Sequence, residues 1–158
     1  MVKKGKKKYD TPEEGWEGER IENEKKIISD YGLKNKEEVW KSQSFIRNMR
    51  REARKLISSE DDKRSRDILG KLNSLGLLKE GAELDDILVL DVEDVLSRRL
   101  QTLVYKRGFA ETMKEARQMI THGRVKIDGK KVDVPGYLVR KHEEGSIEVE
   151  IPEGDEDE

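Results

Sequence analysis

Between Lys41 and Ser59 the chain carries Arg47, Arg50, Arg51, Arg54 and Lys55, with Glu52 as the only acid. At about 100° per residue these five cations fill a helical arc roughly 140° wide. Val39, Ile46, Met49, Ala53, Leu56 and Ile57 fall within about 100° of one another on a different arc. A guanidinium grips two oxygens at once, so such a row suits phosphates spaced along an RNA strand. The alternative is a solvated helix face with no partner. A second set, Lys114, Arg117, Gln118 and Thr121, shares one face within about 100°, opposite Ala116, Met119 and Ile120. Nothing comparable supports catalysis. The chain has no phosphate-cradling Gly-rich loop, no paired histidines and no nucleophile with a positioned base. Zero cysteines exclude disulfides and thiolate metal sites, and His122 and His142 would leave most metal ligation to carboxylates. No catalytic residue, metal site, cofactor or small-molecule substrate is expected.

The elements that hold these residues must come from a short, highly charged chain. Its 158 residues, 43% charged and 33% hydrophobic, fit one or two small domains with little left for a deep substrate cavity. The net charge of −2 conceals blocks of opposite sign. Residues 1–8 carry +5, residues 41–71 +5 and residues 97–142 +8. Residues 9–40 carry −5, 72–96 carry −6, 143–152 carry −4 and 153–158 carry −5. Local potential, not total charge, decides where a polyanion docks. No apolar run approaches the roughly 20 residues of a membrane span, so a soluble, cytoplasmic protein without a membrane partner is expected.

Punctuation along the chain divides it further. Residues 1–15 read as a flexible basic arm. Glu19 to Tyr31 reads as a helix ended by Gly32, and Asn35 with Glu38 reads as a capping box opening the arginine-striped helix. Trp40 is expected to anchor the N-terminal helices. Ser59 with Asp62 is expected to open a third helix through Ile68, Leu69, Leu72 and Leu75. Leu84 to Leu90 is apolar in acidic company, fit for core or a protein contact. Asp91 is expected to cap one helix running through Val92, Leu96, Leu100 and Leu103 to Lys106. Thr112 with Glu115 reads as a capping box opening the next, which ends at His122 and Gly123. Asp128-Gly129 then joins two alternating stretches as a hairpin turn, and Val134, Leu138, Ile147, Val149 and Ile151 are expected to complete a small antiparallel sheet. The expected fold is α+β: a mostly helical N-terminal domain over 16–95, then a two-helix plus antiparallel-strand module over 96–152. An acidic tail fills 153–158.

An ordered set of short segments narrows this reading. Leu96-Ser97-Arg98-Arg99-Leu100, Gly108-Phe109-Ala110, Thr112 with Ala116-Arg117-Gln118-Met119-Ile120, His122-Gly123-Arg124-Val125, Asp128-Gly129-Lys130 and Pro135-Gly136-Tyr137 resemble the S-four RNA-binding domain family. Asp128, where that family often has Asn, and Glu144-Gly145, in place of a frequent Gly-Asp pair, are small departures. Upstream, Tyr31 to Lys36, Trp40, Arg50-Arg51 and Ala53 to Leu56 resemble the archaeal and eukaryotic-type S-four family of small-subunit ribosomal proteins. The resemblance covers roughly residues 16–150. It implies a structural ribosomal component, a primary rRNA binder that nucleates assembly of the subunit body and contributes to decoding accuracy. It also implies contact with neighbouring proteins, ribosomal protein S-five among them. Carried across, it places Arg98, Arg99, Lys106, Arg107, Thr112, Lys114, Arg117, Gln118, His122, Arg124 and Lys130 beside the RNA. Arg117 and Lys114 would meet phosphates, and Gln118 and Thr121 sugar hydroxyls or phosphate oxygens. The amides of Thr112 to Lys114 would offer a further phosphate site. His122 either contacts RNA or favours the carbonyls of its helix end.

Three other classes use the same residues differently. A similar module can direct a pseudouridine synthase or a tRNA synthetase, but the remaining chain offers no catalytic domain. A ribosome-associated quality-control factor would cycle on and off ribosomes. A protein-interaction scaffold would bind RNA weakly and with little sensitivity to salt.

Overall fold

The computed structural model describes Tyr9, Pro12 and residues 17–150. The expected basic arm and acidic tail lie outside the described residues, apart from Tyr9 and Pro12. Among the described residues, seven helices, three short strands and a 3-10 helix are arranged in an α+β fold: α1 (Gly18–Tyr31), α2 (Lys36–Ser59), α3 (Asp62–Ser74), α4 (Leu84–Ile87), α5 (Val92–Leu96), α6 (Leu100–Lys106), α7 (Met113–Thr121), β1 (Val125–Ile127), β2 (Lys130–Lys131), the 3-10 helix Lys141–Ser146, and β3 (Ile147–Val149).

Local chemistry explains most boundaries. Helix α1 stops because Gly32 turns left-handed at φ 60°, its amide bonding the Ile28 carbonyl. There is no room for a side chain here: a Cβ on Gly32 would sit 2.7 Å from the Met113 Cβ and 2.8 Å from the Gln101 Nε2. Helix α2 starts after Asn35 in extended backbone, but the Glu38 carboxylate reaches the Lys34 amide at 2.5 Å rather than closing on Asn35. The cap of α3 is Asp61, whose carboxylate accepts from the Arg64 amide, so Ser59 belongs to the end of α2 and not to the start of α3. The acids of the −6 block have structural work: Glu83 with Asp86 and Asp91 with Asp94 close capping boxes on α4 and α5.

The expected single helix from Asp91 to Lys106 is two helices. Arg99 is extended, and the backbone around it pairs with a distant segment. The Leu100 amide donates to the Tyr137 carbonyl at 2.7 Å, the Gln101 amide to Pro135 at 3.2 Å, and the Val139 amide to Arg98 at 3.0 Å. Arg99 and Leu138 form an antiparallel bridge. The break also separates two cores. Leu96 packs with Leu33, Val39 and Val92, whereas Leu100 packs with Val104, Ala116, Ile120, Val125 and Val139. A third cluster gathers Ile46, Ala53, Leu56, Ile68, Leu72, Ile87 and Val95 beneath α2. Truncating a fully buried member such as Leu72 or Leu100 to alanine would cost about 2–5 kcal/mol.

The hairpin forms as expected. Asp128 and Gly129 both have positive φ, 52° and 79°, the geometry of a type I′ turn, with Ile127 opposite Lys130. The sheet order is β2-β1-β3, antiparallel throughout, Val125 facing Val149 and Ile127 facing Ile147. Two expected strand residues do otherwise. Val134 is 54% exposed in a turn closed by the Tyr137 amide on its carbonyl, and Leu138 contributes only the bridge to Arg99. Ile151 lies outside the described residues. The 3-10 helix was not expected; Glu143 holds it, accepting from the Arg140 amide at 3.1 Å and from the Tyr137 hydroxyl.

Candidate nucleic-acid interface

The arginine stripe of α2 divides by its distance from the apolar arc. Arg47, Arg51, Arg54 and Lys55 are exposed, with Arg51 donating to the Asn48 Oδ1 at 2.8 Å. Arg50 lies about 20° from Val39 on the helical wheel. It is half-buried, and its guanidinium is tied to the Leu90 carbonyl. One member of the row therefore fastens α2 to the α4–α5 connection while four face outward.

Helix α7 divides in the same way. Thr112 caps it, its Oγ1 accepting from the Glu115 amide at 3.0 Å, but the expected capping box does not close: the Glu115 carboxylate accepts from the Glu111 amide at 3.1 Å instead of the Thr112 amide. Lys114, Gln118 and Thr121 are exposed, and the Thr121 hydroxyl donates back to the Arg117 and Gln118 carbonyls at 3.1 Å. Arg117, about 60° from Ile120, is nearer the apolar side than the other three. It reaches Glu38 of α2 at 3.2 Å. His122 is the exposed C-cap of the helix, Arg124 is half-buried, and Lys106, Arg107 and Lys130 are exposed.

Arg98 and Arg99 have internal duties that the sequence reading did not assign. The Arg98 Nε donates to the Leu75 carbonyl at 2.8 Å, its Nη2 to Val139 at 2.7 Å, and it pairs with Glu144. Arg99 is 4% exposed and lies 3.2 Å from the same Glu38 carboxylate that holds Arg117. Burial alone would push the Glu38 carboxyl up; the Lys34 amide and the two guanidiniums overcome it and hold the group below its ordinary range. Burial pushes Arg99 down, with Glu38 opposing and Arg117 adding to the shift. Glu38 thus links α2 to α6 and α7, a role invisible in its reading as a helix cap.

Sequence reasoning also passed over two cations. Lys131 crosses Gly123, where φ is 72° and a Cβ would meet the lysine Cδ at 3.1 Å, so it stands beside the end of α7. Lys126 pairs with Glu150 at 2.5 Å, which raises the lysine pKa and lowers the carboxyl. The alternation around the Asp-Gly turn was the available signal for both. Trp40 is half-buried, its Nε1 donating to the buried Glu24 at 3.0 Å and its ring lying 5.9 Å from that of Tyr9.

Among the described residues no group of three His, Cys, Asp or Glu is placed to hold a metal, and no helix is long and apolar enough to cross a membrane. Residues 98–144, which hold α6, α7 and the β1–β2 hairpin, match the S4 domain. Likeness extends well beyond that module. The small ribosomal subunit protein uS4 of Methanothermobacter thermautotrophicus is 53% identical over 148 residues, which cover 92% of this chain and 86% of that one. The uS4 proteins of Methanococcus aeolicus and Halobacterium salinarum are 50% and 47% identical over 145 and 139 residues, with 82% of each relative covered. The chain belongs to the family of small ribosomal subunit protein uS4.

Proposed function

We propose that this chain is a structural constituent of the small ribosomal subunit, working in the cytoplasm as an rRNA-binding protein and not as an enzyme. Membership of the uS4 family together with an S4 domain supports the ribosomal role and rRNA binding. The observation that gives it a mechanism is the outward-facing cations on two elements, Arg51, Arg54 and Lys55 on α2 and Lys114 on α7, with the two helices joined by the Glu38–Arg117 pair. Each phosphate neutralised releases condensed counterions, so affinity falls steeply with salt. The A-form major groove is too narrow for side chains, so such surfaces recognise RNA shape and backbone.

The finer reading goes further. The protein binds early, nucleating assembly of the subunit body, and contributes to decoding accuracy; ribosomal protein S-five is a neighbour. Its halves are a helical rRNA-binding domain over 16–95 and an S4-type domain over 96–152; the packing of Leu96 with Leu33, Val39 and Val92, and of Leu100 with Val104, supports two halves with the seam between Leu96 and Leu100. All seventeen cationic and polar residues named from the sequence remain candidates for contact. Of the cations among them, Arg47, Arg51, Arg54, Lys55, Lys106, Arg107, Lys114 and Lys130 are exposed. Arg50, Arg98, Arg99 and Arg117 are engaged within the protein.

The test is sedimentation. A structural component stays with small subunits through a high-salt wash, whereas a cycling quality-control factor is released. Release of this chain at the salt that frees known transient factors overturns the structural reading. The cycling alternative is disfavoured because likeness to uS4 spans the N-terminal helices as well as the module.

A further inference from the structure

Between α2 and the turn around Pro135 runs a groove of about 620 Å³. Pockets that enclose one small ligand measure roughly 300–1,000 Å³. Phe45, Val95, Pro135 and Leu138 give this groove apolar walls, and the exposed Val134 borders it. Its charged lining is three cations, Lys41, Arg99 and Arg117, against the single carboxylate of Glu38. Arg99 is 4% exposed, and its Nη1 is a buried donor without an acceptor.

The combination is selective. A solvated ion-pair cluster has no use for aromatic and proline walls, and a slot for an apolar peptide side chain has no use for a cation surplus. A flat apolar group attached to an anion uses both. We propose that the groove receives one unstacked nucleobase of the RNA partner. Phe45 and Leu138 supply its apolar contacts, and Lys41 and Arg117 meet the flanking phosphates. Asn48 also lines the groove; its carbonyl already accepts from Arg51, which leaves its NH₂ group to donate to a base edge. This inference rests on the rRNA-binding reading and deepens it: phosphate contacts on the helix faces set position, and the groove adds recognition of a splayed base.

The experiment probes base and backbone reactivity on small-subunit rRNA transcribed from the same genome, with the full chain and with Val134→Tyr and Phe45→Leu. Thermal melts check that both variants fold. The expected result is one unpaired base protected by the natural protein and exposed again with Val134→Tyr, while backbone protections persist. Phe45→Leu weakens binding roughly tenfold, the scale of one lost base–aromatic contact, with the salt slope unchanged. An abasic nucleotide at the protected position gives the same loss with the natural protein, and combining it with Phe45→Leu adds nothing further. Backbone protection with no base restored by Val134→Tyr, or additive losses, overturns the groove but leaves RNA binding standing. Absence of every protection with the natural protein overturns the RNA reading beneath it. If Val134→Tyr leaves rRNA affinity unchanged yet blocks incorporation of a neighbouring protein, the groove is a protein site and the proposal is wrong.

Discussion

Replacing Glu38 by glutamine isolates a single charge that holds α2 to α6 and α7. In the natural protein that carboxylate accepts from the Lys34 amide at 2.5 Å and lies 3.2 Å from both Arg99 and Arg117. Removing one partner of a fully buried pair costs about 3–5 kcal/mol, whereas an exposed pair contributes about 0–1 kcal/mol. Here Arg99 is buried, but the Glu38 and Arg117 side chains keep 19% and 24% of their surface. Glutamine also keeps an acceptor for the amide. The expected loss is therefore about 2 kcal/mol at pH 7, between those limits. For a chain of this size that lowers the melting temperature by roughly 4–8 °C. The pH dependence is the sharper check. The folded carboxyl titrates below its ordinary range, so its contribution is complete above the unfolded pKa of about 4.3 and disappears as pH falls through the lower folded value. Urea titrations followed by tryptophan fluorescence should show the gap between the two proteins closing as the solution is acidified below about pH 4. A gap of equal size at pH 7 and pH 3.5, or none at pH 7, refutes the account of Glu38 as an ionic clasp.

Arg98→Ala strands the Leu75 and Val139 carbonyls and should cost about 3 kcal/mol in the free protein, measured by urea unfolding; a loss confined to RNA affinity would make Arg98 a contact residue instead. Gly32→Ala forces a left-handed alanine against Met113 and Gln101 and should cost about 2–5 kcal/mol in the same assay. Arg51→Ala with Arg54→Ala should leave stability within about 0.5 kcal/mol and make the salt slope of rRNA binding shallower by about two counterions. An unchanged slope returns that face to solvent. Arg117→Ala should lower rRNA affinity and the slope by about one counterion, and an unchanged slope would confine Arg117 to its partnership with Glu38.

What could be read from the sequence was local. The Thr112 cap, the Asp128-Gly129 turn and the Gly32 terminator each depend on residues within a few positions, and each formed where expected. The break at Arg99 depends on backbone partners at Pro135, Tyr137 and Val139, and Leu96, Leu100 and Leu103 fit a continuous helix equally well. Periodicity likewise placed Arg50 and Arg117 in cationic arcs but could not show that residues at an arc's edge meet a neighbouring element. The candidate site was legible as a composition of faces. Its internal clasp was not, because Glu38 looks like any carboxylate in the first turn of a helix.

A near-neutral protein is an unlikely-looking partner for a polyanion only if every charge is free to act. Here the charges differ in what they are bonded to. Within the −6 block, Asp86 and Asp94 accept backbone amides and Asp91 caps α5. A carboxylate so placed answers the positive end of its own helix, which reduces the field it projects. On the basic side Arg50, Arg98 and Arg99 answer buried carbonyls or Glu38, and they too project less. The surface potential is then set by what remains exposed, and the exposed cations of α2 and α7 are Lys41, Arg47, Arg51, Arg54, Lys55 and Lys114. Counting charges by block overstates both signs; counting hydrogen-bond partners first leaves the outer face of α2 and Lys114 of α7 as the cations proposed to meet RNA.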